Sequence, residues 1–221
     1  MAPSADIIAA IKAGDVPRIR RLLEDDPGLA NALSDAGESA LLLAIYHRQR
    51  EAADLLVAAG AEIDVFTAAA GGYLDQLREA VEGASASVNA FSRDGWTPLH
   101  LAAFFGQTGA ARYLLDSHAD PAAVSRNETG NTPLHAAVAA RQTATAELLL
   151  SHGANVDASS GGGWRPLHSA ANNGDLPSIE LLISKGAEIS PLSSDGKTPL
   201  SLAQAKDQRE AIALLRRHGA V

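Results

Sequence analysis

Asp94-Gly95-Trp96-Thr97-Pro98-Leu99-His100-Leu101-Ala102-Ala103-Phe104-Phe105-Gly106 recurs along this chain. Its centre, Thr97-Pro98-Leu99-His100, returns as Thr132-Pro133-Leu134-His135, as Arg165-Pro166-Leu167-His168 and as Thr198-Pro199-Leu200-Ser201. The four prolines stand 35, 33 and 33 residues apart. A fixed period of this size marks a stacked array, in which each unit buries its apolar face on the next. Such an array reaches 221 residues by adding layers, without one thick core.

In the four proline-marked units an alanine follows the proline at four residues, with a second at five in two of them, and a glycine or polar break follows at eight. Leucine stands at sixteen throughout, paired with a second at seventeen in two units, and a Gly-Ala step comes at twenty in three. This spacing predicts two short helices in a hairpin. Seven such pairs fit a single domain over 5–221, at about 5–34, 35–63, 64–90, 91–125, 126–158, 159–191 and 192–221. The first pair keeps the phase through Asp6, Ala10, Gly14 and Leu22-Leu23, with polar residues where a terminal layer meets water. The last is polar too, through Gln204, Lys206, Asp207 and Gln208. Only 4 residues separate Gly60 from Asp64, which holds the proline's phase, whereas 13 separate Gly153 from Pro166. One connecting loop is therefore expected to be deleted between pairs two and three, exposing a groove near Tyr46 and Ala70. The loop around Ser125-Arg126-Asn127-Glu128-Thr129-Gly130 is two residues long for the period.

The repeated residues have local causes. Thr97 can cap a helix by accepting from a first-turn N–H. Pro98 suits the first helical position, where its missing N–H costs nothing. Leu99, Ala102 and Ala103 form the apolar stripe. Gly153, Gly186 and Gly219 end the second helices with positive φ; His118 takes that place in the fourth pair, and Arg165 replaces the capping threonine in the sixth. His100, His135 and His168 share one repeat position, one per layer. That separation is too large for shared ligation at roughly 2.0–2.1 Å, so the expectation is a hydrogen bond to the capping turn.

A net charge of −8 disfavours binding to a phosphate backbone. Residues 1–110 carry 15 acids against 8 Lys/Arg, and residues 111–221 carry 11 against 10. The acidic half would suit a basic partner, although a solvated surface is the plainer reading. Cysteine is absent, which removes disulfides, thiol nucleophiles and thiolate zinc sites. No basic n-region precedes an apolar core at the start, and no apolar run reaches the length of about 20 residues that spans a bilayer. The expectation is a soluble, cytoplasmic protein, a monomer with a homodimer as the alternative left open. Gly196-Lys197-Thr198 lacks the earlier glycine of a phosphate loop, since that position is Pro191. Gly161-Gly162-Gly163 reads as a flexible turn. Asn127-Glu128-Thr129 matches a glycosylation acceptor only formally. No catalytic, cofactor-binding or metal-binding set is found.

Thr-Pro-Leu-His-x-Ala-Ala, the later Leu-Leu-Leu, Gly-Ala-Asn-Val-Asp and the period of 33 together resemble ankyrin repeats. The match is strong over 94–219 and rests on phase and alanines over 5–91. The resemblance implies an all-α solenoid of about seven helix pairs with short β-hairpin-like fingers and polar terminal caps. It further implies a non-catalytic module whose concave face, made of fingers and first helices, binds another protein without a cofactor. Its contact positions are the residue before the capping threonine and the two after the paired alanines. Carried over, the first class gives Glu38, Trp96, Asn131, Trp164 and Lys197. The second gives Tyr46 with His47, Phe104-Phe105, Ala139-Ala140, Asn172-Asn173 and Ala205-Lys206. The partner-binding candidates are Tyr46, His47, Trp96, Phe104, Phe105, Asn131, Trp164, Asn172 and Asn173. Five of the chain's nine aromatics fall in this set. A different class, a regulatory or small-ligand sensor, would use the groove near Tyr46 and would need a closed cavity there.

Overall fold

The computed structural model describes residues 3–83 and 88–221, so residues 84–87 of the third pair lie outside the described residues. Fourteen α-helices follow one another as seven antiparallel pairs within them. The first three pairs are α1 (Pro3–Ala13) with α2 (Val16–Asp25), α3 (Ala40–Tyr46) with α4 (Arg50–Ala58), and α5 (Val65–Gly71) with α6 (Leu74–Gly83). The next two are α7 (Pro98–Phe105) with α8 (Thr108–Asp116) and α9 (Pro133–Ala139) with α10 (Thr143–Ser151). The last two are α11 (Pro166–Asn173) with α12 (Leu176–Ser184) and α13 (Pro199–Ala205) with α14 (Arg209–Arg217). A 3-10 turn at Pro27–Asn31 follows α2.

The first helices start where caps and prolines place them. Ser39 Oγ accepts from Leu42 N–H at 3.1 Å, and Thr198 Oγ1 accepts from Ser201 N–H at 3.1 Å. Asp64 is itself a cap, accepting from Thr67 N–H at 2.7 Å. It therefore stands one residue before α5 instead of opening it as a proline would, and α5 begins at Val65. Arg165 heads α11 without capping it; its guanidinium pairs with Asp157 and Glu188 instead.

The histidines tie each layer to the next. Thr97 N–H donates to His100 Nδ1 at 3.3 Å, and His100 Nε2–H donates to the Asn131 carbonyl at 2.9 Å. His135 does the same between Thr132 N–H and the Trp164 carbonyl, and His168 between Arg165 N–H and the Lys197 carbonyl. A carbonyl only accepts and an N–H only donates, so both partners fix one tautomer. Layer two has Leu42 at this position and no finger follows it, so a histidine there would have no carbonyl to meet. The last layer has Ser201, whose hydroxyl accepts from Thr198 N–H and returns to the Thr198 carbonyl.

The fingers are tight turns closed at their bases. Ser34, Ser92, Ser160 and Ser193 each donate a backbone N–H to the carbonyl four residues on, at 2.8–2.9 Å; in the longer fourth-to-fifth finger Ser125 reaches six residues on, to Asn131. The hydroxyls of Ser34, Ser92, Ser125 and Ser193 accept back from Glu38, Trp96, Asn131 and Lys197 N–H. Successive fingers touch backbone to backbone. Arg126 N–H donates to Gly95 C=O at 2.8 Å, Gly161 N–H to Thr129 C=O at 2.9 Å and Ser194 N–H to Gly162 C=O at 3.0 Å. Glycine is required by this approach: a methyl on Gly163 (φ +71°) would lie 2.6 Å from Ser194 N.

At the opposite end, a second key fits layer to layer. The residue that turns the first helix into the second has positive φ in every layer: Gly14, Arg48, Gly72, Gly106, Arg141, Gly174 and Asp207. The next layer's Gln49, Gln107, Gln142 and Gln208 fill the space beside Gly14, Gly72, Gly106 and Gly174, where a side chain would otherwise project. Arg48 and Arg141 are followed in the next layer by Tyr73 and Asp175 at the glutamine position.

The core runs between the helix pairs. Ala102, Ala103, Ala137, Ala170, Ala171 and Ala203 are fully buried, so neighbouring first helices approach closely, with Leu99, Leu134 and Leu167 between them. The buried side chains form two clusters that meet at α5. Ala70 belongs with α1–α4 and Leu101, while Ala68 and Ala69 belong with the C-terminal layers.

Candidate functional site

The chain between α4 and α5 is residues 59–64, with no finger in it. Fingers 34–38 and 92–96 consequently face each other across layer three. Side chains span the distance that backbones span elsewhere. The Arg93 guanidinium donates to the Ala36 carbonyl, and Tyr46 Oη donates to Asp94 Oδ2 at 3.1 Å.

Tyr46 ends α3 and Phe105 ends α7, yet their rings stack at 5.6 Å between centroids and 13° between planes. The stack reaches across a layer because α5 offers Ala70 and Gly71 where α3 and α7 end in rings. Ala70 is fully buried, so the groove expected to expose it does not. Phe104 meets Phe105 edge-on at 5.2 Å, and Trp96 meets Phe104 edge-on at 5.5 Å. The four rings thus form one half-buried cluster. With Asp94 and Leu101 they line a surface pocket of about 330 Å³. The Tyr46 phenol is pushed far above its ordinary range, first by burial and then by the Asp94 carboxylate that accepts its hydrogen bond; Glu38 and Asp64 add to this. It therefore stays neutral and donates.

The other candidates stand apart from this cluster. His47 is exposed beside Tyr46. Asn131 and Trp164 are half-buried with their carbonyls held by His100 and His135, and the Trp164 ring leans on His168 at 5.9 Å. Asn173 Nδ2 donates to the Ala139 carbonyl at 3.2 Å, and its own carbonyl accepts from Arg141. The Asn172 carbonyl accepts from Gln208 Nε2 at 3.4 Å. Asn172 and Asn173 therefore serve the junction between layers as well as facing out.

Sequence reading misses Arg93 and Asp94, because their partners lie 57 and 48 residues away across an omitted finger. It also misses the finger serines, although a serine five residues before the cap recurs at Ser34, Ser92, Ser160 and Ser193 and is a signal that could have found them. Asn31 and Asn89 escape it too. Each clamps the turn that ends the next layer's second helix, Gly60-Ala61 or His118-Ala119: Asn31 Oδ1 accepts from Glu62 N–H at 2.7 Å and Asn89 Oδ1 from Asp120 N–H at 2.9 Å.

Helix pairs in register, fingers paired along one edge and a histidine in three of the four marked caps define a solenoid of the ankyrin type. The profile described as "Ankyrin repeats (3 copies)" matches residues 65–160 and 155–221, and the chain belongs to the ankyrin repeat family. Among curated proteins it is similar to protein phosphatase 1 regulatory subunit 12A of Mus musculus and of Rattus norvegicus, 42% identical over 59 residues in each case. That stretch is 27% of this chain and 6% of either relative. Among the described residues no helix is long and apolar enough to cross a membrane.

Proposed function

We propose that this chain is a non-catalytic protein-interaction module, acting as a monomer in the cytoplasm. Its partner docks along the finger and first-helix face, anchored on Tyr46, Trp96, Phe104 and Phe105, with His47, Asn131, Trp164, Asn172 and Asn173 extending the contact along the row. The observation that carries the reading is the ring cluster. Four of nine aromatics gather on one face around an open pocket, and aromatic anchors in pockets dominate interface energies. The family is one of interaction modules, and the matched relatives are named as regulatory subunits. The pocket opens at the exposed Asp94, which suits a polypeptide segment better than an enclosed small molecule.

The test compares proteins retained from source lysate by wild type, by Trp96→Ala/Phe104→Ala and by Ile212→Ala. The rings are half-buried, so the double variant is expected to lose about 2–4 kcal/mol of stability. Ile212, packed against the core at the far end, serves as the control for lost packing. A partner kept by wild type and Ile212→Ala but lost by the ring variant supports the reading. Equal retention by all three sinks it.

A further inference from the structure

Between fingers 34–38 and 92–96 lies a cleft of about 380 Å³, whereas the other successive fingers among the described residues touch backbone to backbone. Its apolar lining includes Leu33, Leu42, Phe66 and Phe91. Leu33 is 59% exposed, a large apolar side chain left in water. Four carboxylates also line it: Glu38, Glu62, Asp64 and Asp94. Among the described residues none of the four is in an ion pair, whereas Asp6, Asp157 and Glu188 pair with arginines elsewhere. Arg93 is the one cation in the lining, and its guanidinium is held by the Ala36 carbonyl. With four carboxylates against one guanidinium the lining is net negative, and a cleft with low-dielectric walls concentrates such a field on whatever enters.

The carboxylates do not converge on a point. No three His, Asp or Glu side chains of the described residues are placed to hold a metal ion. Asp64 is engaged with Thr67 N–H, Asp94 with Tyr46 and Glu38 with Ser34. The cation that fits is therefore one that can spread across several separated oxygens while covering apolar surface, and a long basic side chain does both. Asp94 lines both this cleft and the aromatic pocket, so the two openings adjoin. In an extended segment, side chains two residues apart lie on one face at roughly 6.5–7 Å, a spacing that serves two adjoining openings.

We propose that this cleft takes an extended basic segment of a partner protein, whose arginine or lysine lies against Glu38, Glu62, Asp64 and Asp94. A neighbouring apolar side chain seats on Trp96 and Phe105. The inference rests on the docking reading above and names the chemistry of the partner at that surface.

The probe is a display library of random twelve-residue peptides, selected on the full chain in low salt. Selected sequences are expected to carry Arg or Lys within two residues of Leu, Ile, Met or Phe. Binding of the best peptide is then measured by fluorescence anisotropy. Glu62→Lys is the main variant, since among the described residues the Glu62 side chain makes no hydrogen bond or ion pair; only its backbone N–H is held, by Asn31. It should weaken binding about tenfold, an effect that shrinks in half-molar salt. Glu210→Lys, an equal charge change on exposed α14, should leave affinity unchanged. Selection of acidic peptides, selection of nothing, or equal effects of the two lysine variants overturns the proposal. Uncharged apolar peptides that lose binding on Trp96→Ala/Phe104→Ala would overturn it while leaving the docking reading intact; the lysate comparison judges that reading separately.

Discussion

His100 shows how one side chain ties stability to pH. Its Nδ1 must accept from Thr97 N–H, so a proton there puts two donors face to face. Burial lowers its pKa to about 4 from an ordinary 6.5, outweighing the Asn131 carbonyl, which favours the charged form. His135 and His168 shift the same way, again chiefly by burial. Between pH 4 and 6.5 the unfolded chain binds the proton and the folded chain does not, so stability rises with pH across that window. The contribution is complete above 6.5 and lost as pH falls toward 4. For His100 alone, going from pH 7.5 to 5 should cost about 2 kcal/mol. Urea unfolding of wild type and His100→Gln at both pH values tests this. The variant should be less stable at pH 7.5 but show the smaller drop, and equal drops would refute the assignment. The same residues show what a sequence discloses locally. Thr97, Pro98 and Ser39 act within one turn of helix, so their roles follow from their neighbours. The bond that gives His100 its purpose crosses to the next layer and required the fold.

At the level of the element, the fingers are held by close backbone approach, and the second helices are ended by glycines in open space. Gly95 (φ +75°) and Gly186 (φ +86°) share a left-handed conformation and differ in surroundings. A methyl on Gly95 would lie 2.7 Å from the Arg126 carbonyl carbon, while one on Gly186 would meet nothing within 4 Å. Gly186→Ala should then cost only the backbone term, about 1 kcal/mol. Gly95→Ala must also push neighbouring fingers apart and should cost about 2–4 kcal/mol. Denaturant midpoints of the two variants decide it, and equal losses would mean that the fingers separate freely. The period of 33 announces helix pairs and loops, and the excess residues in the 125–131 loop show in the count. The count sets Asp64 one residue too far into its helix, because the distance to Gly72 keeps phase with the turn and not with the cap.

In the whole molecule, the join between layers two and three is loosely packed among the described residues. Besides the finger cleft, one of about 410 Å³ lies between Val57, Ala61 and Ile63 on one side and Gln76 and Glu79 on the other. A third of about 290 Å³ opens beside Gln49 and Tyr73. The two core clusters divide at the same place. In a stack whose stability sums layer and neighbour terms, a weak neighbour term separates two cooperative blocks. Hydrogen exchange should therefore show α1–α4 opening together, at a lower free energy than α7–α13; uniform protection along the array would contradict this. The short Gly60–Asp64 interval locates this join in the sequence. It could not show the Tyr46–Phe105 stack or the Arg93 bridge, since both depend on which residues face each other once a finger is omitted. The keyed turns carry a further consequence, for how such a chain can change length. Excising layer four would bring Gln142 over Gly72, a glutamine-on-glycine match of the kind the chain already uses. Excising layer five would bring Asp175 over Gly106, a match it uses nowhere. The array is thus less like beads on a thread than like a written line with agreement rules, in which one word can be dropped and its neighbour cannot.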